Sequence, residues 1–149
     1  MDLARRAMLN PFGLVQHAVL ESPDHNTVHV IYGHTNRPFA HNRLIKELVT
    51  RTGLQLVPTQ SRVATSSSKG DGVVIVIVDR HDSPFTDRLL REAVETAGHP
   101  ATHTLFLQKE RYCPDWVGDK LPRSALMVYP DSDVGRSQFW TTLTTMMGE

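Results

Sequence analysis

The stretch VVIVIV, Val73–Val78, decides the fold. Six consecutive β-branched residues predict a strand that is buried on both faces, because a half-exposed strand alternates apolar with polar residues. Such strands are typical of the middle of a parallel sheet. Ser83 and Pro84 follow shortly afterwards and are suited to cap and to begin a helix. The stretch therefore predicts a strand-to-helix unit of an α/β protein.

Strand and helix patterns alternate on both sides of this stretch. A helix is predicted between Pro38 and Gly53, and a final helix carries Phe139, Trp140 and Leu143 on its apolar side. Alternating strands and helices require right-handed crossovers and parallel pairing. The sequence thus predicts one α/β, flavodoxin-like domain with a mostly parallel five-stranded sheet flanked by helices. The other four predicted strands are 27–32, 54–57, 102–107 and 126–129.

The opening residues predict a helical extension over 1–22, ahead of a main domain over 23–149. Asn10 and Pro11 are suited to a helix start, and Phe12, Val15 and Val19 recur at helical spacing.

The composition narrows the class of protein. Lys and Arg number 16, as do Asp and Glu, and this balance disfavours a nucleic-acid binder. The single cysteine, Cys113, excludes an internal disulfide and suits a reducing compartment. No apolar run approaches the ~20 residues of a membrane span. We therefore expect a cytoplasmic protein without a membrane span.

Charge is unevenly distributed along the chain. Residues 1–72 hold eight basic and five acidic side chains, whereas residues 73–149 hold eight and eleven. Random scatter explains this difference, or alternatively the domain has a basic and an acidic surface that associate head to tail.

Sequence motifs for cofactors are absent. There is no Walker-type phosphate loop, no dinucleotide-binding glycine motif, no nucleophile elbow and no paired-cysteine zinc site. The eight histidines lack neighbouring cysteines, which favours surface or hydrogen-bonded histidines over metal ligands. The prediction is no resident metal and no cofactor.

The chain resembles a Toll/interleukin-1 receptor (TIR) domain over roughly residues 27–147. Its residues 30–48 are similar to that family's first strand and helix, and 73–85 to its central strand and serine-x-tryptophan helix start, with Phe85 replacing tryptophan. The most specific likeness is YPD at 129–131 followed by QFWTTL at 138–143, which resembles the closing strand and Phe-Trp box.

The resemblance implies an interaction module more than an enzyme. TIR domains that cleave NAD carry a glutamate six residues after the motif serine, and Leu89 stands at that position. The family's basic-acidic stretch ending in Pro-Gly is also missing after Val57. The leading hypothesis is therefore a protein or homo-oligomer contact used for assembly in signalling or innate-immune-type responses. Its candidate contact residues are Arg62, Lys69, Phe139 and Trp140.

Two alternatives remain open. One is an enzyme that cleaves the glycosidic bond of NAD or another nucleotide at the strand tips, where carboxylates and histidine are suited to acid–base work. The candidate catalytic residues of this enzyme are Asp79, His81 and Glu92, with His34 and Asp82 lining the same pocket. The other alternative is a structural subunit that docks through its amino-terminal helix.

Overall fold

The computed structural model describes residues 14–22, 27–57, 72–98, 100–121, 123–129 and 133–147. They form an α/β fold with one six-stranded sheet. The strands are β1 (Val15–Glu21), β2 (Thr27–Gly33), β3 (Gln55–Leu56), β4 (Val73–Val78), β5 (Thr104–Gln108) and β6 (Ala125–Val128).

The sheet is mixed but mostly parallel, with the order β3-β1-β2-β4-β5-β6. β2, β4, β5 and β6 pair in parallel, and β1 is antiparallel to both of its neighbours. β3 consequently runs in the same direction as β2, so β1 alone is reversed. The parallel arrangement around Val73–Val78 confirms the prediction from sequence, whereas the predicted count of five strands was wrong.

β1 corrects the part of the predicted helical extension that covers residues 15–21. Val15 lies opposite Gly33 and Glu21 lies opposite Thr27, in a register that covers all of both strands. Residues 15–21 thus belong to the same sheet as the rest of the domain. Asn10, Pro11 and Phe12 lie outside the described residues.

β4 lies at the centre and is buried on both faces, as predicted. Val73, Ile75 and Ile77 pack on one side of the sheet, and Val74, Val76 and Val78 pack on the other; all six are at most 1% exposed. Full burial of each such side chain contributes about 1.5–3 kcal/mol. This strand therefore joins the two halves of the core.

In the described part of the chain, four helices cover the two faces of the sheet. On the first face lie α1 (residues 37–52) and α4 (Asp133–Met146), which contribute Leu44, Leu48, Phe139 and Leu143 to the core. On the second face lie α2 (Pro84–Ala97) and the short α3 (Asp115–Gly118). No helix in the described ranges is long and apolar enough to cross a bilayer.

Two helix boundaries confirm the local sequence signals. The Ser83 side chain accepts a hydrogen bond from the backbone N–H of Thr86 (3.1 Å), and Pro84 begins α2. Gly53 ends α1 in the left-handed conformation, with φ of 74°. In α1, however, Ala40–Ile45 is π-helical between the α-helical turns Arg37–Phe39 and Lys46–Thr52. No sequence signal indicated that irregularity.

Candidate functional site

A crevice at the carboxyl ends of β2 and β4 is the first candidate site. The chain leaves β2 towards α1 on one face of the sheet and leaves β4 towards α2 on the other. Neighbouring parallel strands whose connections diverge in this way leave a gap between their loops, where α/β proteins commonly bind ligands. The bordering segments are residues 33–36 and 79–83.

Asp82 lies directly over the end of β2. A Cβ atom on Gly33 would lie 2.9 Å from Asp82 Oδ1 and 3.1 Å from the Thr86 side chain, so any larger residue at position 33 would displace these side chains. The Thr35 hydroxyl donates a hydrogen bond to Asp82 Oδ1 at 3.1 Å. The loop after β2 and the loop after β4 are thereby joined across the crevice.

Asp82 is held in surroundings that disfavour its charge. Burial raises the pKa of its carboxyl, the charges of Asp79 and Asp87 raise it further, and the Thr35 hydrogen bond and His34 oppose this. Among the described residues, Asp82 Oδ2 has no hydrogen-bond partner although it is buried. A carboxyl group of this kind keeps its proton to a higher pH than a solvated aspartate does.

Asn36 is a second unsatisfied group in the loop that follows β2. Its side chain is 1% exposed, yet neither its amide nitrogen nor its amide oxygen has a hydrogen-bond partner within the described part of the chain. Buried polar groups are almost always hydrogen-bonded, because leaving one unpaired costs about 1–3 kcal/mol.

Asp79 has a structural role at the tip of β4. It is 8% exposed, accepts a hydrogen bond from the backbone N–H of His81 (3.0 Å), and lies 3.6 Å from Lys109 Nζ. The His81 ring is exposed and lies 3.8 Å from Glu110. In the described structure no hydrogen bond joins the Asp79 and His81 side chains, and each contacts a different partner.

α2 does not bring a carboxylate to the position that matters in the TIR resemblance. Leu89 is 6% exposed and packs with Leu90 and Val94 in the hydrophobic layer beneath the helix. Glu92 is exposed. The helix therefore presents leucine, rather than a carboxylate, towards the sheet.

The predicted contact residues on α4 differ in how far they are buried. Phe139 is 1% exposed, with ring centroids 6.2 Å from Tyr129 and 5.1 Å from Trp140, so it belongs to the core. Trp140 is partly buried, with the Arg51 guanidinium 5.2 Å above its ring. Arg62 and Lys69 lie outside the described residues.

A basic cleft between α1 and α4 was not anticipated from the sequence. One cavity, of about 390 Å³, is bordered by Arg43, Lys46, Arg51 and Arg136, with Tyr129 and Glu47. A second cavity, of about 440 Å³, shares Arg51 and Arg136 with the first and is also lined by Trp140. Arg43, Lys46 and Arg51 lie within three turns of one helix, a spacing that sequence inspection can detect.

Glu47 and Tyr129 lie side by side on one wall of this cleft. The Tyr129 hydroxyl donates to Glu47 Oε2 at 2.6 Å, and Arg51 Nε lies 3.6 Å from Glu47 Oε1. Burial, together with the hydrogen bond and charge of Glu47, raises the pKa of Tyr129 to about 12. Tyr129 therefore stays neutral and adds no negative charge to the cleft.

The cysteine and histidine residues supply no metal centre in the described ranges, where no three His, Cys, Asp or Glu side chains converge on one point. Cys113 is an exposed free thiol. Comparisons with known protein families, curated proteins and solved structures give no match to this chain.

Proposed function

We propose that this chain is a TIR-like interaction module that assembles with itself or with a protein partner and does not catalyse a reaction. The observation that carries the proposal is Leu89, which is buried where a catalytic TIR domain has its glutamate. A leucine cannot stabilise the positive charge that develops during glycosidic cleavage. Assembly in cytoplasmic signalling or an innate-immune-type response is the role that the resemblance implies.

The strand order supports the flavodoxin-like fold that this proposal includes. With β1 left aside, the remaining order is β3-β2-β4-β5-β6. Numbered along the chain, this is 2-1-3-4-5, the flavodoxin-like order. On this proposal, β1 is an insertion between the first two strands of a flavodoxin-like sheet.

We propose that the contact surface is the rim of the crevice, which is formed by Arg80, Phe85, Arg88 and Glu110. Arg80 Nε lies 3.3 Å from Glu110, and both side chains are more than half exposed. Phe85 is 40% exposed at the start of α2, with the Arg88 guanidinium 5.5 Å from its ring centroid. An aromatic ring among exposed charges is typical of interaction surfaces. Arg62 and Lys69 are the proposed contacts from the 58–71 loop.

Light scattering over a range of protein and salt concentrations tests the proposal, with NAD turnover followed on the same sample. We expect self-association that weakens as salt rises, since exposed charges are screened beyond about 10 Å at 0.1 M salt, and no turnover. A chain that stays monomeric at high concentration and low salt, with no partner, would contradict the module.

Phe85→Ala tests the position of the contact surface. We expect the variant to associate more weakly, because it removes the exposed ring without opening the core. Val49→Ala is the matched control, since Val49 is 39% exposed on α1, away from the rim. Equal association of both variants would place the contact elsewhere, and charge reversal at Arg62 and Lys69 would then locate it.

A nucleotide-cleaving enzyme is a second candidate, favoured by Asp82. A half-buried carboxyl with a raised pKa at the crevice is suited to donate a proton to a leaving group. If the chain turns over NAD or another nucleotide, Asp82→Asn should abolish turnover while the fold is kept. Turnover that survives this substitution would exclude Asp82 as the acid.

The docking-subunit alternative loses part of its basis. Val15 and Val19 lie in β1 and are buried in the sheet, so they are not available on a helix for a partner.

A further inference from the structure

In the described part of the chain, the cleft between α1 and α4 carries more positive charge than its neighbouring acidic residues neutralise. Four basic side chains border it, and Glu47 is the one acidic residue among its described lining residues. Both oxygens of Glu47 are already engaged, one by Tyr129 and the other by Arg51. In the described structure Lys46 and Arg136 have no carboxylate within ion-pairing distance. Among the described residues, two cations therefore border the cleft without a counter-charge.

Two hydrogen-bond donors in the same place are also unsatisfied. Arg136 Nε and Trp140 Nε1 are buried, and neither has a hydrogen-bond partner among the described residues. Both residues line the second cavity. Each N–H would gain a hydrogen bond if its side chain turned towards an acceptor held in the cavity, and a missing bond of this kind costs about 1–3 kcal/mol. Within the described residues, the cleft thus presents donors and positive charge without matching acceptors or negative charge.

The backbone of α1 is irregular at the same place. Asn42 and Arg43 border the first cavity and belong to the π-helical segment Ala40–Ile45. π-Helical turns are rare and occur frequently at functional sites. Here the irregular turn lies on the wall of the basic cleft, facing α4.

From these observations we propose that the cleft binds a small phosphorylated ligand, with its phosphate at Lys46 and Arg136 and the rest of the molecule extending towards Trp140. Arginine side chains present a planar pair of donors that matches phosphate oxygens. Cavities of about 390 and 440 Å³ are of the size that small ligands occupy. The balanced charge of the whole chain disfavours RNA as the occupant. This site is distinct from the strand-tip crevice and does not depend on the function proposed there.

Titration calorimetry with inorganic pyrophosphate and with nucleoside monophosphates and diphosphates, in low-salt buffer, tests the proposal. We expect saturable binding to the full chain. Arg136→Gln and Lys46→Gln should each weaken it about tenfold or more, because each removes a charge-assisted hydrogen bond. Arg91→Gln is the matched control; Arg91 is exposed on α2, on the other face of the sheet, and pairs with Glu95 at 3.1 Å.

Fluorescence provides a second measurement on the same site. The chain has two tryptophans, and Trp116 packs on the opposite face of the sheet. In Trp116→Phe, emission arises from Trp140 alone, and pyrophosphate or a nucleotide should change it with the affinity measured by calorimetry. An unchanged signal during saturable binding would place the ligand elsewhere and overturn the assignment.

Three other outcomes would also overturn it. The first is the absence of saturable binding of every small phosphate probe at millimolar concentration. The second is equal weakening by Arg91→Gln, which would indicate general charge attraction. The third is tight binding of a single-stranded RNA oligonucleotide without binding of the small probes. Lys46 is exposed, so Lys46→Gln keeps the test valid should Arg136→Gln impair folding.

Discussion

At the scale of one residue, the crevice makes the Asp82 carboxyl harder to ionise than a solvated aspartate. Its burial against Gly33 disfavours the ionised form, and the pKa lies above the ordinary value of 3.8. Between the unfolded and folded pKa values the folded chain binds more protons than the unfolded chain. The stability of the wild type therefore falls as pH rises through that window, and the loss is complete above the folded-state pKa.

Asp82→Asn should consequently raise the free energy of unfolding at pH 7. Asparagine keeps an oxygen that accepts the Thr35 hydrogen bond but carries no charge to desolvate. The gain should shrink towards zero near pH 3, where the aspartate is protonated in both states. Urea unfolding at both pH values measures this difference.

Asp119→Asn is the control for this substitution, because Asp119 is exposed after α3. We expect it to change stability by less than about 0.5 kcal/mol at either pH. A loss of stability in Asp82→Asn at pH 7 would show that the ionised carboxylate makes a favourable contact.

At the scale of a single element, α4 carries two neighbouring aromatic residues, Phe139 and Trp140, that differ in their location. Phe139 lies in the core and Trp140 borders the basic cleft. Phe139→Ala should lower the free energy of unfolding by about 3–5 kcal/mol, as expected for truncation of a buried phenylalanine. Chemical denaturation measures the loss, and Gln138→Ala, at the exposed neighbouring position, should have little effect. If the variant kept near-normal stability but no longer bound a partner, Phe139 would instead belong to the interaction surface.

The elements also show where sequence reasoning works. Ser83 and Gly53 mark helix ends through contacts within one turn of chain, so their roles were predictable from neighbouring residues. The segment 15–21 was misread because Phe12, Val15 and Val19 fit a helical stripe. A strand with apolar side chains on both faces accommodates Val15, Ala18 and Leu20 equally well, and only pairing with β2 decides between helix and strand.

At the scale of the whole molecule, the position of the crevice was predictable but the basic cleft was not. The carboxyl ends of parallel strands share one edge of the sheet, so a site among the loops after β2 and β4 was predictable, whereas the adjacency of β2 and β4 is seen only in the structure. In the cleft, by contrast, Tyr129 and Glu47 are 82 residues apart in sequence. Such residues meet only when α1 and α4 pack on the same face, which local patterns do not specify.

Removal of residues 1–21 should abolish cooperative unfolding. β1 separates β3 from β2, and its loss leaves seven residues of β2 without their antiparallel partner. Thermal unfolding followed by near-ultraviolet circular dichroism measures this. A chain starting at Leu14 serves as the control, so that the comparison isolates β1. A truncated chain that stays folded and monomeric would show that the other strands form a sheet without it.

The two edge strands of the sheet have a consequence for how copies of this chain can meet. In the described residues, one edge is the two-residue β3 and the other is the four-residue β6. Short edges expose few backbone donors and acceptors, so a second chain finds little to extend into a continuous intermolecular sheet. Within the described residues these short edges disfavour sheet extension between copies, which favours assembly through side-chain contacts.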